Sequence, residues 1–282
     1  MSSKLHVLNS SEEAGRSGAR RPPGPLALEL QKTMLRLKGQ YMSEDGREVH
    51  YHQLRSSGLF QDYEGVARQL CDCDLTELDD NEKKAFFVNV YNALTVHGLA
   101  RADPLPASVL ELDRFWALTA YNIGGHLFSL DDIEHGVLRG NRPHPMADKP
   151  PFSEDDPRRQ FALKSCDARI HFALVCGAKS CPAIQVYSSS NIEQALTTAA
   201  ESFCSQEVAV DEGRRTVTTS KIFHWYASDF GSSERQLLQW LCGYLPEETR
   251  SQLERLLDSA HPITLTSRDY NWQLNSDSRS AL

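Results

Sequence analysis

The 282-residue sequence predicts an α+β protein: a single domain with a central buried helix and a small mixed or antiparallel sheet covered by helices. Three observations carry this expectation. The run Ala85-Phe-Phe-Val-Asn-Val-Tyr-Asn-Ala-Leu94 is apolar nearly all round, as a helix packed on more than one face must be. Leu118–Ile123 and His126–Ser129 flank Gly124-Gly125, the spacing of a two-residue β-hairpin. Short β-prone pieces at 208–210 and 216–218 are followed by helical periodicity at 234–244 and 247–257.

In chain order, residues 1–24 are rich in Ser, Gly, Arg and Pro and read as a disordered tail, because they hold too little apolar surface to offset ordering. Leu26, Leu28, Leu30, Met34 and Leu37 recur near helical spacing, and Val66, Leu70 and Leu75 mark a second helical stretch over 63–75. His50 and His52 alternate on an expected strand. The main helix is predicted over 80–99, with Asp79, Asp80 and Asn81 as cap candidates and Glu82 in its first turn. After the hairpin, Ser129-Leu-Asp-Asp132 fits a capping box with Asp in place of Glu, opening a helix through Arg139. A Pro-rich loop over 140–158 precedes an expected strand over 169–176, and a helix is expected over 191–204. A strand-like piece runs over 263–274. The domain is placed at 25–275, with 276–282 a flexible tail.

Net charge is −8 with His neutral, which argues against a nucleic-acid or anionic-membrane partner across the whole surface. No apolar run is long enough for a transmembrane helix, and Met1-Ser-Ser-Lys-Leu-His-Val7 lacks a signal-peptide core. Seven cysteines (Cys71, Cys73, Cys166, Cys176, Cys181, Cys204 and Cys242) without small-scaffold spacing suit free thiols in a reducing compartment, so a cytoplasmic protein is expected.

Residues able to carry chemistry gather at Arg169-Ile-His-Phe-Ala-Leu-Val-Cys-Gly-Ala-Lys-Ser-Cys-Pro182. On the expected strand His171 and Cys176 fall on opposite faces, on the order of 16 Å apart, which excludes a direct base–nucleophile pair unless a bulge intervenes. Gly177-Ala-Lys-Ser180 imitates the end of a phosphate-binding loop. Phe172 stands where its first Gly belongs and Pro182 where a helix should begin, so a nucleotide site is excluded. The favoured reading is a cysteine-dependent hydrolase or acyl transferase. Cys181 (or Cys176) is its nucleophile, His135 its base, Asp131 or Asp132 the orienter and Asn92 an oxyanion donor. The blander reading of Asn89 and Asn92, two amides in an apolar helix, is that they brace backbone. The alternative chemistry is a zinc site drawn from His135, His171, Cys176 and Cys181. The partner in either case is a small molecule or protein substrate.

Five segments carry a family resemblance: Ala85–Leu94, Ser129–Arg139, Arg169–Pro182, Lys221-Ile-Phe-His-Trp-Tyr-Ala-Ser-Asp-Phe-Gly231 and Tyr270-Asn-Trp-Gln-Leu-Asn275. Together, over roughly 45–275, they resemble domain of unknown function 547. The resemblance implies that Asn92, Glu134, His135, His171, Cys176 and Cys181 occupy positions typical of the family. Val175 departs from it, standing where relatives often carry Asn. It implies no established reaction, and the domain's occurrence beside other modules allows a third reading, a non-catalytic interaction domain.

Overall fold

The computed structural model describes residues 4–10, 22–45 and 47–276. Helices dominate, and the strands form two separate three-stranded sheets, so the α+β class expected from the sequence is observed. The chain divides into two compact units. The first comprises Met1–Cys166, Ala173–Ile192 and Trp272–Leu282, the second Asp167–Phe172 and Glu193–Asn271.

The first unit is built around α4 (Asp80–Arg101), preceded by α1 (Pro23–Tyr41), α2 (Tyr51–Arg55) and α3 (Gly58–Arg68). A capping box opens α4: Asp79 accepts the Glu82 N–H at 2.8 Å, and the Glu82 carboxylate accepts the Asp79 N–H at 3.0 Å. From Ala85 to Ala100 nearly every side chain of α4 is buried, so this helix is central, as its all-round apolar sequence requires. After the short α5 (Phe115–Leu118), β2 (Thr119–Ile123) and β3 (His126–Ser129) form the hairpin, with Ile123 opposite His126. Gly124 and Gly125 take φ of 59° and 86°, the left-handed pair that a primed two-residue turn needs.

A buried polar chain ties α3, α4 and β2 together. Tyr63 O–H donates to Tyr121 Oη (2.6 Å), Tyr121 O–H to His97 Nδ1 (2.7 Å), and His97 Nε2–H to Glu64 (3.0 Å). Burial pulls the Glu64 carboxyl upward, but hydrogen bonds from His97 and Arg101 outweigh it and hold the group at about 2. Burial also lowers His97, which keeps the imidazole neutral and suits it to accept from Tyr121.

Three sequence expectations are corrected here. Residues 4–10 are not an unstructured tail: β1 (His6–Val7) pairs parallel with β2, and the buried Asn9 locks it there. Asn9 donates to Ala67 O and Asn122 O and accepts the Asn122 N–H. Residues 1–3, 11–21 and 277–282 of the expected tails lie outside the described residues, and Pro23 and Gly24, placed in the tail by the sequence, begin α1. His50 and His52 stand at the start of α2, not on a strand. The helix opened by Ser129 is a π-helix over Asp132–Leu138, with Arg139 N–H bonding Glu134 O and Asn141 N–H bonding Gly136 O, both five residues back.

The second unit contains α6 (Ile192–Glu207), β4 (Ala209–Asp211), β5 (Thr216–Thr219), α7 (Lys221–Trp225), α8 (Ala227–Phe230), α9 (Glu234–Cys242), α10 (Glu247–Asp258) and β6 (Thr264–Ser267). Its sheet is mixed: β4 pairs antiparallel with β5, and β6 parallel with β5. Its core is an aromatic cluster in which Phe172 meets Phe203, Phe223, Phe230 and Trp240. Among the described residues no helix is long and apolar enough to cross a membrane.

Candidate functional site

The expected strand over 169–176 does not form. Ala168–Phe172 is a turn of 3-10 helix, and the chain then runs irregularly to a loop at 177–182. The faces assigned to His171 and Cys176, and the 16 Å they implied, therefore do not apply. In the first unit α4 holds the irregular segment. Asn92 Nδ2–H donates to Ala173 O, and Val175 N–H donates to Asn92 Oδ1, both at 2.9 Å. Asn89, one turn earlier, does the same for Tyr187, donating to its carbonyl and accepting its N–H. Both amides thus brace backbone. The brace takes Asn92 Oδ1 and one of its two Nδ2 hydrogens, so an oxyanion donor role, expected from the sequence, would fall to the second Nδ2–H.

This bracing delivers two thiols to one point. Cys176 Sγ and Cys181 Sγ lie 2.8 Å apart, closer than van der Waals contact but well beyond the ~2.05 Å of a disulfide. The Cys176 N–H also points at Cys181 Sγ, at 3.2 Å. A backbone N–H aimed at a sulfur favours its thiolate form over its thiol, and the N–H of Cys176 is aimed at Cys181. Cys181 is 8% exposed, whereas Cys176 is only half-buried. Gly177 makes the turn between them: its φ is 89°, and a Cβ there would lie 2.4 Å from Leu99 Cδ1. The C-terminal segment secures the loop, Lys179 N–H bonding Gln273 O at 2.9 Å and Asn275 N–H bonding Gly177 O at 2.8 Å. Asn275 also accepts the Tyr51 hydroxyl at 2.9 Å. The Tyr51 phenol is pushed up by its burial and further by the charge that Cys181 and Cys176 carry once ionised, which marks it as a neighbour of the pair.

The π-helix gathers a different set, docked on the same helix through Tyr91, whose hydroxyl donates to Glu134 at 3.1 Å. His135 Nδ1 lies 2.9 Å from an Arg139 guanidinium nitrogen. Guanidinium only donates, so Nδ1 is the acceptor and the imidazole proton sits on Nε2. His135 Nε2 is 3.9 Å from Asp131. The expected role of His135 as a base meets a physical obstacle here. One nitrogen already accepts from Arg139 and the other carries the proton, so a thiol proton could be received only after Arg139 moved. Asp132, the other expected orienter, caps its helix by accepting the Ser129 N–H and also bonds Arg158.

Burial, reinforced by the Glu134 and Asp132 charges and opposed by Arg114, pushes the Asp131 carboxyl from 3.8 up to about 7. Its folded value is above its unfolded value, so protons bind more tightly to the folded state between those limits. Stability contributed by protonated Asp131 is therefore present below 3.8 and is lost as pH rises toward about 7. Asp131→Asn should abolish that decline, read from urea unfolding at a series of pH values. An unchanged slope in the variant would count against a proton held at Asp131.

In the second unit, His171 Nε2 bonds Asp229 at 2.9 Å, with both side chains almost fully buried. The His171 ring stacks on Tyr226 at 4.0 Å. This is the acid–imidazole pair with true hydrogen-bond geometry in the chain's candidate set, and Asp229 is the member that sequence spacing does not reveal. Among the described residues no group of three or more His, Cys, Asp or Glu side chains is arranged to hold a metal ion. The zinc set of His135, His171, Cys176 and Cys181 is thus not seen assembled.

These features define an α+β protein with a buried-helix scaffold and a close thiol pair in a braced loop. Residues 75–204 match the family described as "Protein of unknown function, DUF547". The match contains α4, the π-helix and the cysteine loop. The Lys221–Gly231 and Tyr270–Asn275 segments lie outside it. Neither the curated proteins nor the solved structures contain a match to the chain.

Proposed function

We propose that the chain is a cysteine-dependent hydrolase or acyl transferase working in a reducing, cytoplasmic setting, with Cys176 as nucleophile and Cys181 as the group that takes its proton. The observation that carries this reading is the 2.8 Å approach of the two sulfurs, with the Cys176 N–H directed at Cys181. Cys176 is the more exposed thiol and the one a substrate carbonyl can approach. As its sulfur bonds to the carbonyl carbon, its proton passes to the Cys181 thiolate, which needs no imidazole for this step. The leaving group takes that proton back, and water or an acceptor nucleophile then releases the acyl group. The sequence reading offers Cys181 or Cys176 as nucleophile with His135 as base; here Cys176 is the nucleophile and Cys181 takes the place of His135 as proton acceptor.

Incubation with p-nitrophenyl acetate tests this. A burst of nitrophenol and an acetyl group mapped to Cys176 are expected, absent in Cys176→Ser and slowed roughly a hundredfold in Cys181→Ser. Equal acetylation of wild type and Cys176→Ser would remove the reading.

A further inference from the structure

The same two sulfurs have a capacity that acyl transfer does not use. We infer that Cys176 and Cys181 form an exchange-competent dithiol that reduces a low-molecular-weight disulfide and is itself closed to an intramolecular disulfide. The inference rests on the thiol pair of the preceding reading, but its chemistry ends on sulfur and not on carbon.

Three features support it. The sulfurs already approach to 2.8 Å, so a second thiol attack on Cys176 needs only a small movement. The two thiols differ in accessibility, Cys176 half-buried and Cys181 8% exposed, which separates the thiol that meets a partner from the one that resolves. The loop between them is turned by Gly177 in the left-handed region and by Cys181 N–H bonding Ala178 O at 3.0 Å, so it already brings its ends together.

The steps balance. The Cys176 sulfur attacks one sulfur of R–S–S–R while its proton passes to Cys181. The partner's S–S bond breaks, R–S⁻ departs and takes a proton from water, and Cys176–S–S–R forms. Cys181 then gives its proton to water and attacks the Cys176 sulfur. The second R–S⁻ is displaced and protonated. The protein loses two hydrogens and the disulfide becomes two thiols.

Two of the other thiols add little background. Burial pushes the Cys73 and Cys204 thiols up to about 12, which keeps them protonated near neutral pH. Trypsin cuts after Lys179, between the two cysteines, so the proposed bond joins two peptides that are otherwise separate.

The reduced full chain is incubated with glutathione disulfide, alkylated, and read by intact mass and peptide mapping. The expected product lacks two hydrogens, resists alkylation at Cys176 and Cys181, and yields the cross-linked peptide pair. In Cys181→Ser the glutathione adduct should stay on Cys176, at roughly ten times the wild-type level, because the resolving thiol is gone. Cys176→Ser should gain little adduct. Wild-type chain that remains fully alkylated, or that keeps a stable glutathione adduct without the cross-link, overturns the inference whether or not either variant folds. An adduct in Cys176→Ser equal to that in Cys181→Ser overturns the assigned order. Acetylation of Cys176 by p-nitrophenyl acetate is scored separately. Loss of the cross-link with acetylation retained defeats this inference alone, and the reverse result defeats only the acyl-transfer reading.

Discussion

Asn92→Ala is expected to lower the unfolding free energy by about 3–5 kcal/mol, because it strands two buried backbone groups at once. The amide satisfies both Ala173 O and Val175 N–H, and its residue is 2% exposed, so water does not substitute for it. Each buried group left without a partner costs about 1–3 kcal/mol, and the side-chain void adds to that. Urea unfolding measures the loss. A second readout separates this residue from an ordinary core position: with residues 173–175 released from α4, Cys176 should react faster with iodoacetamide. A loss below about 1 kcal/mol with unchanged alkylation would mean that the brace does not hold the cysteine loop.

Phe172→Ala should be of similar size, about 3–5 kcal/mol, for a different reason. Its ring sits at 4.7 Å from Phe203, 5.5 Å from Phe223, 5.9 Å from Trp240 and 6.1 Å from Phe230, centroid to centroid. Removing it opens a void that four rigid rings fill poorly. The attraction between Phe172 and those rings also disappears, on top of the cost of taking its apolar surface out of the core. Phe172→Leu should recover more than half of the loss. Thermal unfolding followed by near-ultraviolet circular dichroism reads both variants, since the signal comes from these rings. Equal destabilisation by Leu and Ala would show that ring geometry and not volume sets the effect.

Elements whose signals are local were legible in the sequence. The capping residues and all-round apolarity of α4 mark its start and its burial, and Gly124-Gly125 marks the hairpin. The amides in α4 had to be satisfied, and the brace follows from that. The misreadings have physical causes. Residues 170–175 are all buried, so the apolar alternation that suggests a strand carries no information about which face is inside. A capping box opens an α-helix and a π-helix alike. The widened turn goes with packing that Ser129–Asp132 does not encode: a Cβ on Gly136 would lie 2.3 Å from the Phe152 ring. The two-residue β1 is too short for any period to show, and Asn9 secures it through partners dozens of residues away. Asp229 is 58 residues from His171, a separation at which spacing says nothing about pairing.

The threading of the chain has a consequence for the order in which the cysteine loop matures. Synthesis runs from the N-terminus, so α4 and its two asparagines are complete before residues 173–182 are made. The clasp on Gly177 and Lys179, by contrast, comes from Gln273 and Asn275, which are made only after all of 193–271. During that interval on the ribosome, Cys176 and Cys181 have the α4 brace but not yet the C-terminal clasp. The growing chain therefore carries Cys176 and Cys181 without the C-terminal clasp until almost the last described residues have been added.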